Sequence, residues 1–135
     1  MPLKPPSSPN AHITLTLHEP GILIQRYGPD ARFTVALIKA AARERDRLCG
    51  REPHAMLVVI HKSIPVNPDL TNTDHFHDQR RVQRITALAI HAADRTMRGV
   101  CKFYFKWFPQ PFPVRVFDDE EEALAWLRSH VSRPI

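Results

Sequence analysis

Glycine is scarce in this sequence, and its scarcity excludes a large class of phosphate-binding sites. The 135-residue chain has four glycines, which stand at positions 21, 28, 50 and 99. Loops that cradle phosphate groups, such as GxGxxG and the Walker sequence, need several glycines close together. The GxSxG turn that presents a serine nucleophile is also absent from the chain. We therefore expect neither a nucleotide-binding loop nor a serine hydrolase site.

Cysteines and long apolar runs are also rare. The two cysteines, Cys49 and Cys101, show neither CxxC nor metal-ligand spacing, which indicates free thiols in a reducing compartment. No run approaches the roughly 18 apolar residues of a membrane span. Residues 1–10 lack the apolar region of a signal peptide. We therefore expect a cytoplasmic protein that does not span a membrane.

Positive charge exceeds negative charge only modestly. The formal net charge is +5 and the sequence pI is about 9.7. A basic run is interleaved with aromatic residues and consists of Arg80, Arg81, Arg84, Arg95, Arg98, Lys102 and Lys106. The acidic block Asp118–Glu122 follows it, and no helix-turn-helix or RNA-binding motif accompanies it. Nucleic-acid binding is therefore not expected.

Hydrophobic periodicity predicts one mixed α/β domain. Residues 1–10, with four prolines, are expected to be a disordered tail, and residues 11–135 a single domain. Strands are predicted over 12–18, 22–24, 55–60, 85–92 and from 114, and helices over 33–49, 74–84, 94–108 and from 119. The order β-β-α-β-α-β-α-β-α implies a largely parallel or mixed sheet of about five strands.

Residues 112–131 contain the clearest local signals for a strand followed by a capped, amphipathic helix. Val114 and Val116 favour a strand, and the two prolines at 111 and 113 can stand only before it or at its start. Asp118 is predicted to cap a helix that begins at Asp119, where acidic side chains favour the positive end of the helix dipole. The helix then carries one apolar stripe, which predicts packing against a sheet.

The helix predicted over 94–108 carries the candidate interaction surface. Its core stripe is predicted to contain Met97, Val100, Cys101, Tyr104, Phe105 and Phe108. Phe103 and Trp107 fall outside this stripe, beside Lys102 and Lys106. We expect a partner to cover the aromatic pair, and the simplest partner is a second copy in a homodimer. The alternative is that neighbouring elements, such as the Phe112 segment, fold over the pair.

The chain resembles the SpoIIAA-like small bacterial domains, which share the STAS and CRAL-TRIO-like fold and are of uncharacterised function. The likeness rests on the order of elements and on the C-terminal sequences KFYFKWF and PFPVRVFDDEEEALAWL. The resemblance implies the SpoIIAA-like fold. The likeness to CRAL-TRIO domains within this group implies a small apolar or lipid-like ligand. Phosphorylated relatives carry an Asp-Ser-Ser/Thr-Gly motif. This chain has Ser63, Thr71 and Thr73 without that motif, so no regulatory residue is carried over.

Histidines provide the alternative, enzymatic interpretation. His61 and His91 follow or end predicted buried strands and could meet at the carboxyl edge of the sheet, where ligands bind in many α/β proteins. A second cluster, Asp74–Asp78, has the sequence DHFHD. Neither cysteine stands beside a recognisable base, and no paired catalytic acids are evident. We therefore predict a non-enzymatic binding or regulatory domain without catalytic residues, cofactor or metal, which acts through protein association, including self-association, or through an apolar ligand.

Zinc should not stabilise the protein. On a helix, His75 and His77 point to different faces because they are two residues apart, so the 74–78 cluster cannot enclose an ion there. We expect the melting temperature to be the same with and without zinc, both in the native chain and in a His75→Ala, His77→Ala variant. Submicromolar zinc binding by calorimetry that is lost in the variant would contradict this prediction.

Overall fold

A mixed β-sheet forms the centre of the protein. The computed structural model describes residues 7–10, 13–28, 31–32, 34–50, 52–60 and 84–131. These residues include six strands, and the order of the strands in the sheet is the same as their order in the sequence. They are β1 Ser7–Asn10, β2 Ile13–Glu19, β3 Ile22–Tyr27, β4 His54–Ile60, β5 Ile85–Ala92 and β6 Val114–Phe117. The strands from β1 to β3 pair antiparallel, and those from β3 to β6 pair parallel.

Three helices in the described part of the chain cover the two faces of this sheet. They are α1 Val35–Cys49, α2 Arg95–Trp107 and α3 Glu120–Arg128. Helix α1 packs on β1 and β2, α2 packs on β5 and β6, and α3 packs on the opposite face against β4, β5 and β6. The predicted α/β class is therefore confirmed. Most of the helix predicted over 74–84 lies outside the described residues.

The middle of the sheet is buried on both faces, which explains its sequence. Strands β3, β4 and β5 consist mainly of apolar residues without alternation, as parallel strands between two helical layers require. One core layer, under α1 and α2, includes Leu15, Leu23, Met56, Leu88 and Met97. The other layer, under α3, includes Ile22, Leu57, Val59, Leu124 and Leu127.

Each helix begins with a side chain that accepts a hydrogen bond from the first turn. Thr34 accepts from the N–H of Leu37, Asp94 from that of Met97, and Asp119 from that of Glu122. The prediction that Asp118 caps the last helix is wrong by one residue. Both positions are aspartates, so the sequence pattern alone does not decide which one adopts the capping geometry.

The turn between β2 and β3 requires a glycine. Gly21 has a positive φ of 83°, and a Cβ built there would stand 2.7 Å from a methyl carbon of Val131. The N-terminal hairpin is therefore packed closely against the end of the chain that follows α3. A second link runs between the same regions, because Arg128 Nε donates to Glu19 Oε1 at 3.1 Å.

The N-terminal residues contain a strand that the sequence does not predict. The expectation that residues 1–10 are disordered is wrong for Ser7–Asn10, which form β1 and pair with β2. An edge strand is held by backbone hydrogen bonds on one side only, so it needs few apolar side chains and tolerates a proline such as Pro9. Periodicity of apolar residues could not reveal it.

Deletion of residues 1–10 should lower stability, because it removes β1 and exposes the edge of β2. We expect a loss of about 2 kcal/mol in the free energy of unfolding, from the lost strand hydrogen bonds. A variant that lacks only residues 1–6 is the matched control, because it retains β1. Thermal and urea unfolding of the two variants would check this, and equal stability of both variants and the full chain would show that β1 contributes nothing.

One buried histidine makes stability depend on pH. His54, at the start of β4, is 3% exposed, and its Nδ1 lies 3.0 Å from the carbonyl oxygen of Glu52. Its Nε2 is buried without a hydrogen-bond partner in the described part of the chain. Burial lowers the pKa of His54 below its usual 6.5, because the charged imidazolium would lose its water. The neutral ring is therefore the form that the fold accepts.

Acid should therefore destabilise the protein through His54. Above the unfolded-state pKa near 6.5 the ring is neutral in both the folded and the unfolded state, and its contribution to the free energy of unfolding is fully present. As the pH falls towards the lower folded-state pKa, only the unfolded state takes up the proton, so the free energy of unfolding decreases. A His54→Asn variant keeps an N–H that can donate to the Glu52 carbonyl but has no group that titrates in this range. The decrease in the free energy of unfolding that His54 causes should therefore be absent from the variant. Urea titrations across this range would show it, and parallel pH profiles of the two proteins would contradict it.

Candidate functional site

Helix α2 is held firmly at its first turn. Asp94 caps it through a 3.0 Å bond from the N–H of Met97. Arg98 reaches back to the end of β5, where its Nη1 donates to the carbonyl oxygens of Ala92 at 2.8 Å and Ala93 at 3.0 Å. The orientation of the helix over β5 and β6 is therefore fixed by hydrogen bonds as well as by apolar packing.

The inward side of α2 is less buried than the sequence predicts. Of the six residues in the predicted core stripe, Met97 is buried, and the other five are only partly buried. Cys101 and Phe105 pack against the core from this position. The rings of Tyr104 and Phe105 stack with centroids 4.9 Å apart, and Tyr104 meets Phe108 edge-on at 5.2 Å. The helix thus lies on the sheet with only one narrow side covered.

Phe103 and Trp107 are exposed, as their helical positions predict. Phe103 is 59% exposed and Trp107 is 67% exposed, and among the described residues they are the large apolar side chains open to solvent. Their ring centroids lie 5.9 Å apart at an interplanar angle of 62°, an edge-to-face contact that holds the two rings together. Phe112 is buried in the core and does not cover them. The alternative that the Phe112 segment folds over the pair is therefore wrong.

Basic side chains lie on the same helix as the aromatic pair. Lys102 and Lys106 are exposed beside it, and Arg95 is exposed at the start of the helix. No acidic residue occurs within α2. We call Phe103, Trp107, Lys102 and Lys106 together the α2 surface. It combines an apolar centre with a charged margin, which is the usual composition of a protein contact surface.

The histidine sites predicted from the sequence are only partly visible in the structure. His91 lies in β5 between Val59 of β4 and Phe117 of β6, and its Nδ1 is buried without a hydrogen-bond partner in the described part of the chain. His61, the 74–78 cluster and the three candidates Ser63, Thr71 and Thr73 lie outside the described residues. Where side chains are described, no group of three potential metal ligands comes together. The pairing of His61 with His91 remains a prediction.

Sequence reasoning missed a group of buried polar residues under α1. Gln25 in β3 is 5% exposed, and its Nε2 donates to the Tyr27 hydroxyl at 3.0 Å. Arg45 of α1 is equally buried, and its Nη1 lies 3.4 Å from Met56 Sδ. Burial raises the pKa of Tyr27, which keeps the phenol neutral. The available signal was spacing, since Arg45 falls on the same helical line as Leu37, Ala41 and Leu48.

The two cysteines pack with the hydrophobic core. Cys49 is buried and Cys101 is partly buried, and neither forms a disulfide bond within the described part of the chain. Burial raises the pKa of Cys101 to about 11, because a thiolate in these apolar surroundings would lose its hydration. At neutral pH Cys101 is therefore a protonated thiol that serves as a small apolar residue in the packing of α2.

Likeness to one solved structure supports the fold assignment. An uncharacterised protein of the DUF3478 family from Shewanella loihica PV-4, which has a SpoIIAA-like fold, superposes with a TM-score of 0.60 at 19% identity over 90% of this chain and 98% of that one. A protein of unknown function from Arthrobacter sp. FB24 aligns with a TM-score of 0.30 at 26% identity, over 84% and 97% of the respective chains. The predicted SpoIIAA-like fold is confirmed.

Sequence comparison then gives the family. No curated protein matches the chain. No helix in the described part of the structure is long and apolar enough to cross a membrane. Residues 16–131 match the family described as "Domain of unknown function (DUF7793)". That match spans most of the chain, from the middle of β2 to the residue that packs on Gly21. The chain therefore belongs to the DUF7793 family.

Proposed function

We propose that this chain is a non-enzymatic binding domain that associates with a second copy of itself through the α2 surface. The observation that carries the proposal is the exposure of Phe103 and Trp107, at 59% and 67%, on a helix that is otherwise fixed in place. Two large aromatic side chains side by side in water form an apolar patch of a kind that soluble proteins usually cover or use. A cytoplasmic location belongs to the same proposal.

The arrangement of α2 supports association rather than catalysis. Aromatic residues are enriched at the centres of protein interfaces, and charged residues lie at their margins. The α2 surface has this order, with the aromatic pair in the middle and the two lysines beside it. Cys101, the thiol nearest to this surface in sequence, has a raised pKa and is unsuited to nucleophilic attack. The enzymatic alternative depends on His91 together with residues outside the described part of the chain.

A small apolar ligand is a second candidate, because one observation favours it. On this face of the sheet α1 has its main packing contacts with β1 and β2, and α2 has its main contacts with β5 and β6. Val58 of β4 is partly exposed there although the other residues of its strand are buried. Gln25 Oε1 is buried on the same side without a hydrogen-bond partner in the described part of the chain. An apolar molecule that carries one hydrogen-bond donor would match these groups, and native mass spectrometry would detect it bound to the purified protein.

Loss of the aromatic pair should abolish association without unfolding the domain. We expect the native chain to be a dimer at about 50 µM, where even a micromolar dissociation constant leaves most of the protein paired. Phe103→Ser with Trp107→Ser should give a folded monomer, because neither side chain packs in the core. Sedimentation equilibrium and circular dichroism measure the two properties.

Phe105→Ser provides the matched control on the same helix. Phe105 packs against the core, so this substitution should lower the melting temperature, in contrast to the change at Phe103. The proposal fails if the native chain is a monomer at this concentration. It also fails if the Phe103→Ser, Trp107→Ser variant unfolds, since the pair would then serve the fold.

A further inference from the structure

We draw no further inference here: the strongest candidate, the unpartnered side of α2 that carries Phe103 and Trp107, belongs to the surface already described, and nothing in the described part of the chain shows what covers it.

Discussion

A sheet whose middle strands are buried on both faces determines the rest of this structure. Strands β3, β4 and β5 have no side that can face water, so helices must cover the sheet from above and below. The short helix α3 covers one face through Leu124 and Leu127. The other face is shared by α1 and α2, which lie towards opposite edges of the sheet. Helix α2 therefore contributes a narrow buried side and leaves an aromatic side exposed.

Sequence patterns correctly predicted the features that depend on residues close together in the chain. The spacing of Phe103 and Trp107 indicated that they lie outside the core, and the structure places both in solvent. The acidic residues near 120 predicted the start of α3, and the prolines at 111 and 113 predicted the start of β6. The capping residue of α3 was misplaced by one position. Strand β1 was missed because pairing at a sheet edge depends on the backbone, which carries no signal in side-chain hydrophobicity.

The polar interior was missed for a different reason. Hydrophobic periodicity treats arginine, glutamine and histidine as surface residues, yet Arg45, Gln25 and His54 are buried. Their hydrogen-bonding surroundings carry no signal in hydrophobic periodicity: Arg45 lies beside Met56 of β4, and His54 lies beside the carbonyl oxygen of Glu52, two residues earlier in the chain. The exposure of the helix was underestimated in the same way. Val100 and Tyr104 have core spacing, and only the placement of α2 over β5 and β6 leaves them partly open.

The proposed self-association depends on the exposed side of α2. Phe103 and Trp107 contact each other edge-on and remain exposed, and no described element covers them. A second copy that packs on this side removes both rings from water, which is the usual outcome for two large aromatic side chains on a protein surface. Lys102 and Lys106 then lie at the margin of the contact.

Fluorescence of Trp107 tests the central claim most directly. The second tryptophan, Trp126, packs against Phe117 on the other face of the sheet, so Trp126→Phe leaves Trp107 as the single reporter. If a second copy covers Trp107, its emission should shift to shorter wavelength as the protein is concentrated from about 0.1 µM to about 100 µM. The same shift should be absent in a Phe103→Ser background. Emission typical of a water-exposed tryptophan over the whole range would contradict the account.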